Sequence, residues 1–427
     1  MEPTQHGQSE MRESQIEPAA GNRDISSVLW IMAITAGAGI SNVFYVQSMV
    51  DVVGRSLAIP AAILGLVPAS TIGGYSLGLF FLVPLGDRFD RKKLILWQLV
   101  GVIASLLVMA SAPNAAILLL GGLAVGISAS FTQQIPPFAS SLASPESRGK
   151  TVGTVVGAIM LGILLARTVS GFVSQFFGWR IVFYAAAVLM TIVAALVYWR
   201  LPNSRRTTDL SYPKLIGSLW PLVRDHATLR EAMLLQALIF AGFNAFWATL
   251  PTLLEGAPFH FGSGVAGSFG IIGAVGALAA ALAGRLSDKL GPRRVATLSA
   301  LTVLLSYGIL FLGQWWIIAL IVGVATMDAG AQGSLVSNQT RSFALNPHAQ
   351  NRINTLYTSA MFLGGAAGSA VSTFVWVRAG WTGVMKFCAC LSALACIALM
   401  RREAEPTQPD RGDLRSQRTP IARAPTS

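Results

Sequence analysis

The sequence predicts an all-α membrane protein of twelve transmembrane helices in two pseudo-equivalent six-helix bundles, and three observations carry that prediction. The first is composition. Of 427 residues, 53% are hydrophobic and only 12% charged, with a mean hydropathy of +0.59, whereas soluble chains carry roughly 25% charged residues on their water-facing surfaces. An ordinary soluble enzyme is excluded. The second is a succession of apolar runs, each long enough at about 1.5 Å per residue to cross a hydrocarbon core of about 30 Å. The third is an internal repeat whose landmarks recur at a nearly fixed offset.

Residues 1–24 are polar, with Glu2, Glu10, Arg12, Glu13, Glu17, Arg23 and Asp24, and lack the basic start and cleavage site of a secretory signal. They read as a cytoplasmic N-terminal tail. The first runs are α1 (26–50) and α2 (61–85). The charge-free stretch from Leu94 to Pro145 is too long for one helix, and the turn signal Ser111-Ala112-Pro113-Asn114 divides it into α3 (94–112) and α4 (115–137). With α5 (151–177) and α6 (181–200) these complete an N-terminal half, 25–200. The polar segment 201–230, with Arg205, Arg206, Asp209, Lys214, Arg224 and Asp225, reads as a cytoplasmic linker. The C-terminal half, 231–400, holds α7 (231–254), α8 (264–287), α9 (295–313), α10 (315–338), α11 (354–377) and α12 (381–400), before a second cytoplasmic tail, 401–427.

The repeat joins the halves. Asn42-Val43-Phe44-Tyr45 in α1 returns 202 residues later as Asn244-Ala245-Phe246-Trp247 in α7. Asp87 returns as Asp288 at 201, and Pro145 as Pro347 and Gly178-Trp179 as Gly380-Trp381 at 202. Two related helical halves around a midplane site are the architecture of a secondary transporter, which rocks one half against the other.

The formal net charge of +12 is distributed by topology. Of 31 Lys and Arg, four (Arg55, Arg180, Arg378 and Lys386) fall on the outer side and Arg167 in mid-membrane, which leaves 26 for the cytoplasmic side. Both termini are therefore expected in the cytoplasm, with the chain multi-pass in the inner (plasma) membrane. The basic clusters face anionic lipid rather than nucleic acid. Cys388, Cys390 and Cys396 lie in one apolar stretch, and His6, His226, His260 and His348 lie in tails or loops, so no metal centre, cofactor or catalytic constellation is expected. No Walker-type phosphate loop is present, which removes ATP-driven transport by this chain alone.

The segment Pro84-Leu85-Gly86-Asp87-Arg88-Phe89-Asp90-Arg91-Lys92-Lys93 resembles the loop 2–3 motif of the major facilitator superfamily, G-x-x-x-D-R/K-x-G-R-R/K. Its repeat, from Gly284 through Asp288, Lys289 and Gly291 to Arg293 and Arg294, matches more fully; in the first copy Val83 and Asp90 stand where glycines belong. The resemblance covers residues from about 25 to 400 and implies that superfamily's fold, alternating access and a small-molecule substrate. It also implies a gating role for Asp87, Arg88, Arg91, Asp288, Lys289, Arg293 and Arg294. Such aspartates can find partners in the neighbouring half only when the cytoplasmic side is closed, which would stabilise an outward-open state. Gly74-Tyr75-Ser76-Leu77-Gly78, Ala166-Arg167-Thr168-Val169-Ser170-Gly171 and Ser337-Asn338-Gln339 look like a bacterial branch of efflux-type or uncharacterised permeases of that superfamily. Two departures stand out: Gly122 replaces the arginine that drug/proton antiporters often carry four residues before a glycine in α4, and their α5 motif G-P-x-x-G-G falls on Gly162–Arg167 without the proline and with arginine at its last place.

An ionised side chain at mid-bilayer costs about 2.5–3.5 kcal/mol on insertion scales and so marks a candidate functional site. Two residues qualify: Asp328, 14 residues into α10, and Arg167, ten residues from the outer end of α5. If they meet between the halves, protonation of Asp328 would break the pair and bias the rocking equilibrium; the structural alternative has Arg167 on backbone carbonyls and Asp328 on helix neighbours. Asn42 and Gln47 in α1, Gln133 and Gln134 in α4, Asn244 in α7, and Gln332 and Asn338 in α10 are expected to line the same cavity, with Phe44, Tyr45, Phe246 and Trp247 as apolar walls. The expected activity is proton-coupled export of an apolar or amphipathic solute by a monomer in the lipid bilayer. The alternative is proton-coupled uptake of a small organic anion with Arg167 as carboxylate clamp.

Overall fold

A computed structural model describes residues 22–144, 146–204, 211–346 and 349–400. Residues 1–21 of the N-terminal tail, the C-terminal tail, the Pro145/Pro347 pair, and Arg205, Arg206 and Asp209 of the linker lie outside these residues, while 22–24, expected in the tail, begin the first helix. Ten apolar helices follow the predicted order: α1 Ser26–Ser56, α2 Ala61–Arg88, α3 Arg91–Ala110, α4 Ala115–Leu142, α5 Arg148–Phe177, α6 Trp179–Arg200, α7 Ala227–Glu255, α8 Ser263–Leu290, α9 Pro292–Leu312 and α10 Ile317–Phe343. The eleventh stretch, Gln350–Met400, has 51 residues, about 76 Å of helix and more than twice a bilayer core. Gly380, at φ 59° and ψ −159°, breaks it into α11 (350–379) and α12 (381–400). The described chain thus contains twelve spans and no strand.

The repeat is visible in the backbone. Gly178, at φ 87°, separates α5 from α6 as Gly380 separates α11 from α12, a conformation that costs glycine little and other residues much. Trp179 and Trp381, just after these breaks, are both buried. The two loop motifs turn differently. Gly291 turns at φ 86° before α9, whereas its counterpart Asp90 keeps an ordinary φ of −60° and caps α3, its carboxylate accepting from the Lys92 N–H at 2.9 Å.

Helix ends depart from expectation. α4 continues past 137 to Leu142 through a 3-10 turn at Ser130–Gln134, because Pro136 and Pro137 fall in the first turn of the helical piece that follows, where a missing N–H is harmless. α10 runs on to Phe343, and α1 passes through a 3-10 turn at Tyr45–Met49, all five residues buried. The linker is partly helical. Its pieces Tyr212–Gly217 and Leu219–Asp225 bury Leu219 and Leu222 with Leu229, Ile353 and Leu356.

Buried apolar side chains gather into two large clusters, one within 32–201 plus Met361 and Phe362, the other within 235–399. Trp97, Leu120, Val188, Leu278 and Leu305 face outward, as a hydrocarbon surround requires. Between the halves one end is shut. Opposite loop 2–3, Gly65 N–H donates to Thr373 Oγ1 at 3.0 Å, Ser369 Oγ to the Gly65 carbonyl at 3.1 Å, and Ser174 and Ser263 hydroxyls stand 3.2 Å apart. Arg55 pairs with Glu255, and Thr252 donates to both Asp51 oxygens at 3.0 Å. Towards loop 2–3 the seam opens: Gly153 and Gly157 in α5 and Gly284 in α8 have nothing within 4 Å of where a Cβ would stand.

Candidate functional site

The 3-10 turn of α1 places Gln47 where three helices meet. Its Oε1 accepts from Arg167 Nε of α5 at 2.8 Å, and its Nε2 donates to Asn244 Oδ1 of α7 at 3.0 Å. Asn244 in turn donates to the Phe240 carbonyl at 3.0 Å. A continuous hydrogen-bonded bridge thus crosses from one half to the other. Aromatic rings surround Arg167: its guanidinium carbon is 4.0 Å from the Trp247 ring centroid, 5.3 Å from Phe44 and 5.8 Å from Phe243. Such desolvated stacking is worth about 2 kcal/mol. Arg167 is 2% exposed and Asp328 4%. Even so, Arg167 Nη2, Asp328 Oδ2 and Trp247 Nε1 are buried without a hydrogen-bond partner.

Arg167 and Asp328 do not form an ion pair. The pairs among the described residues are Arg55–Glu255, Arg91–Asp87, Arg224–Asp225 and Arg341–Glu231. Both charges instead lie along the glycine stripe of α8. A Cβ at Gly270 would stand 3.2 Å from Arg167 Cβ, and one at Gly273, a turn further on, 3.6 Å from Asp328 Oδ2. These glycines let α8 approach α5 and α10 together. Gln332, next to this stripe, reaches across the seam towards Met160 Sδ at 3.9 Å.

Other expected cavity residues lie elsewhere. Asn42 stays inside the N-terminal half, donating to the Ala38 and Gly39 carbonyls and towards Met190 Sδ at 3.3 Å. Phe246 packs edge-on against Trp247 and Trp381 in the C-terminal core, and Tyr45 is buried in the N-terminal one. Gln134 donates to Gln98 Oε1 at 2.8 Å. With Gln133 it lines a small open cleft between loop 2–3, α4, the linker and the start of α11, which also contains Asp87, Arg91 and Arg352. Asn338 belongs to a chain of contacts that sequence reasoning missed. Arg341 donates to Asn338 Oδ1 and Glu231 Oε1, both at 3.1 Å, and Asn338 and Ser334 continue it to Gln236. Phe243 was also missed, although its place one turn before Trp247 was a readable signal.

In the loop motifs, Asp87 pairs with Arg91 of its own half at 3.2 Å. Arg88 lies over the Phe89 ring, and Arg293 donates to the Leu399 carbonyl at 3.1 Å. Asp288, Lys289 and Arg294 are exposed.

A family model described as Major Facilitator Superfamily matches residues 29–341 and 232–425. The chain belongs to the major facilitator superfamily. It is accordingly a multi-pass membrane transporter. A relative from Escherichia coli O157:H7, named uncharacterized transporter YgaY, is 37% identical over 380 residues, 89% of this chain and 95% of the relative. Among solved structures, a D-xylose–proton symporter aligns with a TM-score of 0.74 at 17% identity, covering 88% of this chain and 98% of that one. A bacterial homologue of the human lysosomal transporter Spinster, inward-facing and unoccupied, aligns at 0.72 and 15% identity, covering 89% and 96%. At these identities the structural likeness shows the fold alone.

Proposed function

We propose that this superfamily member is a proton-coupled carrier of a small organic anion in the inner membrane, with Arg167 as substrate anchor and Asp328 as proton site. The observation that carries the reading is the pair of buried opposite charges that leave polar atoms unpartnered and yet do not pair with each other. Leaving such a group unsatisfied costs about 1–3 kcal/mol, and more when it is charged. A site that keeps that cost gains when something else supplies the partner.

The chemistry of the unpartnered atoms decides which solute fits. Arg167 Nη2 and Trp247 Nε1 are donors without acceptors, so a ligand bringing anionic oxygens fits better than one bringing a cation. Asp328 Oδ2 is an acceptor without a donor, so a proton fits there. The expectation of exporting an apolar or amphipathic compound therefore yields to its alternative, the anion carrier. With both termini cytoplasmic, the shut end faces outward and the splayed seam inward. Asp288, exposed in this arrangement, would gain a partner across the seam as the inner side closes. Direction follows the gradients, because alternating access is reversible.

Proteoliposomes reporting internal pH, challenged with organic anions, lipophilic cations and sugars, test the proposal. An anion is expected to trigger proton movement in the unaltered protein. Asp328→Asn should keep anion exchange and lose proton movement, and Arg167→Lys should weaken anion binding by about tenfold or more. Proton movement driven by a lipophilic cation and indifferent to Arg167→Lys would sink the anion reading in favour of export.

A further inference from the structure

We infer that Gln47 is a stand-in for the substrate: its side-chain oxygen occupies half of the place that a planar two-oxygen anion takes, and its displacement releases the bridge between the halves. The inference rests on the anion reading of Arg167. On the side edge of a guanidinium, the Nε–H and one Nη2–H point the same way and together grip two oxygens of one planar group. In this chain Gln47 Oε1 holds the Nε place at 2.8 Å, while Nη2 beside it is buried and empty-handed. An amide has one oxygen to offer. A carboxylate has two, at the spacing the edge requires. The flat approach is taken by the Trp247 ring at 4.0 Å, which leaves the edge as the route for a ligand.

The consequence lies at the other end of the Gln47 amide. Its Nε2 holds Asn244 on α7 while its Oε1 holds Arg167 on α5. Once an anion takes the Nε/Nη2 edge, one side chain can no longer hold both. The seam next to Arg167 is close: Thr168 Oγ1 donates to the Gly267 carbonyl of α8 at 3.0 Å, and nearer the shut end Ser174 meets Ser263. The local 3-10 turn at Tyr45–Met49 gives α1 a segment that can rewind as Gln47 withdraws. Substrate therefore favours opening of the shut end by having differential affinity for a state in which Gln47 has left.

The test needs one readout with ligand and one without. Ser174→Cys with Ser263→Cys, in a background where the exposed Cys390 is serine, reports closure of the shut end by the rate of disulfide formation. Gln47→Ala is expected to slow that rate at least about threefold with no ligand present, and to tighten binding of the probe anions acetate, benzoate and nitrate by about tenfold. Gln47→Glu, which fills both places from within, should abolish their binding in a protein that still elutes as a folded species. Unchanged cross-linking and unchanged anion affinity in Gln47→Ala overturn the inference even where anions bind through Arg167. Failure of every probe to bind the unaltered protein, with Arg167→Lys transporting normally, overturns the reading of Arg167 instead. Among carriers that pass, preference for nitrate over the carboxylates, or the reverse, tells which planar anion the edge serves.

Discussion

Of the three arginines buried among the described residues, Arg341 and Arg167 are held in opposite ways. Arg341, at the end of α10, meets the Glu231 carboxylate and Asn338 at 3.1 Å each, with side chains of Arg341 and Glu231 only 7% and 11% exposed. Arg167, near the middle of α5, has an amide, three aromatic rings and an unpartnered nitrogen. The first is complete without a ligand and ties α7 to α10 inside one half. The second is incomplete and sits on the seam between halves. Burial alone does not mark a functional charge; what its hydrogen-bonding atoms lack does.

The largest expected effect comes from breaking the complete pair. Glu231→Ala leaves Arg341 charged and uncompensated, and should lower the unfolding free energy by about 3–5 kcal/mol, measured by denaturant titration of the purified protein in detergent. A loss below about 1 kcal/mol would erase the contrast. Next, Arg167→Met removes a buried charge that no carboxylate meets at ion-pair distance. Stability should change by no more than about 1 kcal/mol, since relief from desolvation offsets the lost ring stacking, while anion-driven flux disappears. A collapse in stability equal to that of Glu231→Ala would make Arg167 a structural residue. Smaller again is Gly171→Ala, whose Cβ would stand 2.5 Å from the Ser263 carbonyl oxygen. It should cost about 1–2 kcal/mol and slow Ser174→Cys/Ser263→Cys cross-linking, whereas Gly157→Ala on the splayed stretch of α5 should leave that rate alone. Smallest is Arg55→Gln, since Arg55 pairs with Glu255 while its side chain remains 66% exposed. The expected change is below about 1 kcal/mol and should shrink further at high salt.

The sequence made one of the two arginines legible and hid the other. Arg167 stands out because an apolar run surrounds it, as does Asp328. Arg341 and Glu231 fall at helix ends, where a charge is ordinary, and α10 was expected to stop at 338; only the observed continuation to Phe343 brings Arg341 inside. The spans themselves were readable from apolar length, and the α11–α12 boundary from the Gly178/Gly380 repeat. The repeat misled at Asn42. It equates Asn42 with Asn244, but Asn244 faces the seam while Asn42 turns into its own half, and the residue that meets Asn244 is Gln47, brought round by a 3-10 turn that periodicity does not announce. Contact across the seam depends on local winding, which a pattern with a fixed period of 3.6 residues does not encode.

The brevity of the connections at the shut end bears on how the protein can be seized from that side. Gly178 and Gly380 join their helices with almost nothing between, and the remaining connections there are 57–60, 111–114, 256–262 and 313–316. An antibody fragment approaching this face therefore finds one segment of any length, 256–262, to hold. That segment runs from Glu255, which pairs with Arg55, to Ser263, which meets Ser174. A fragment that grips it would be sensitive to whether the two halves are together, serving at once as a label for the shut form and as a clamp upon it.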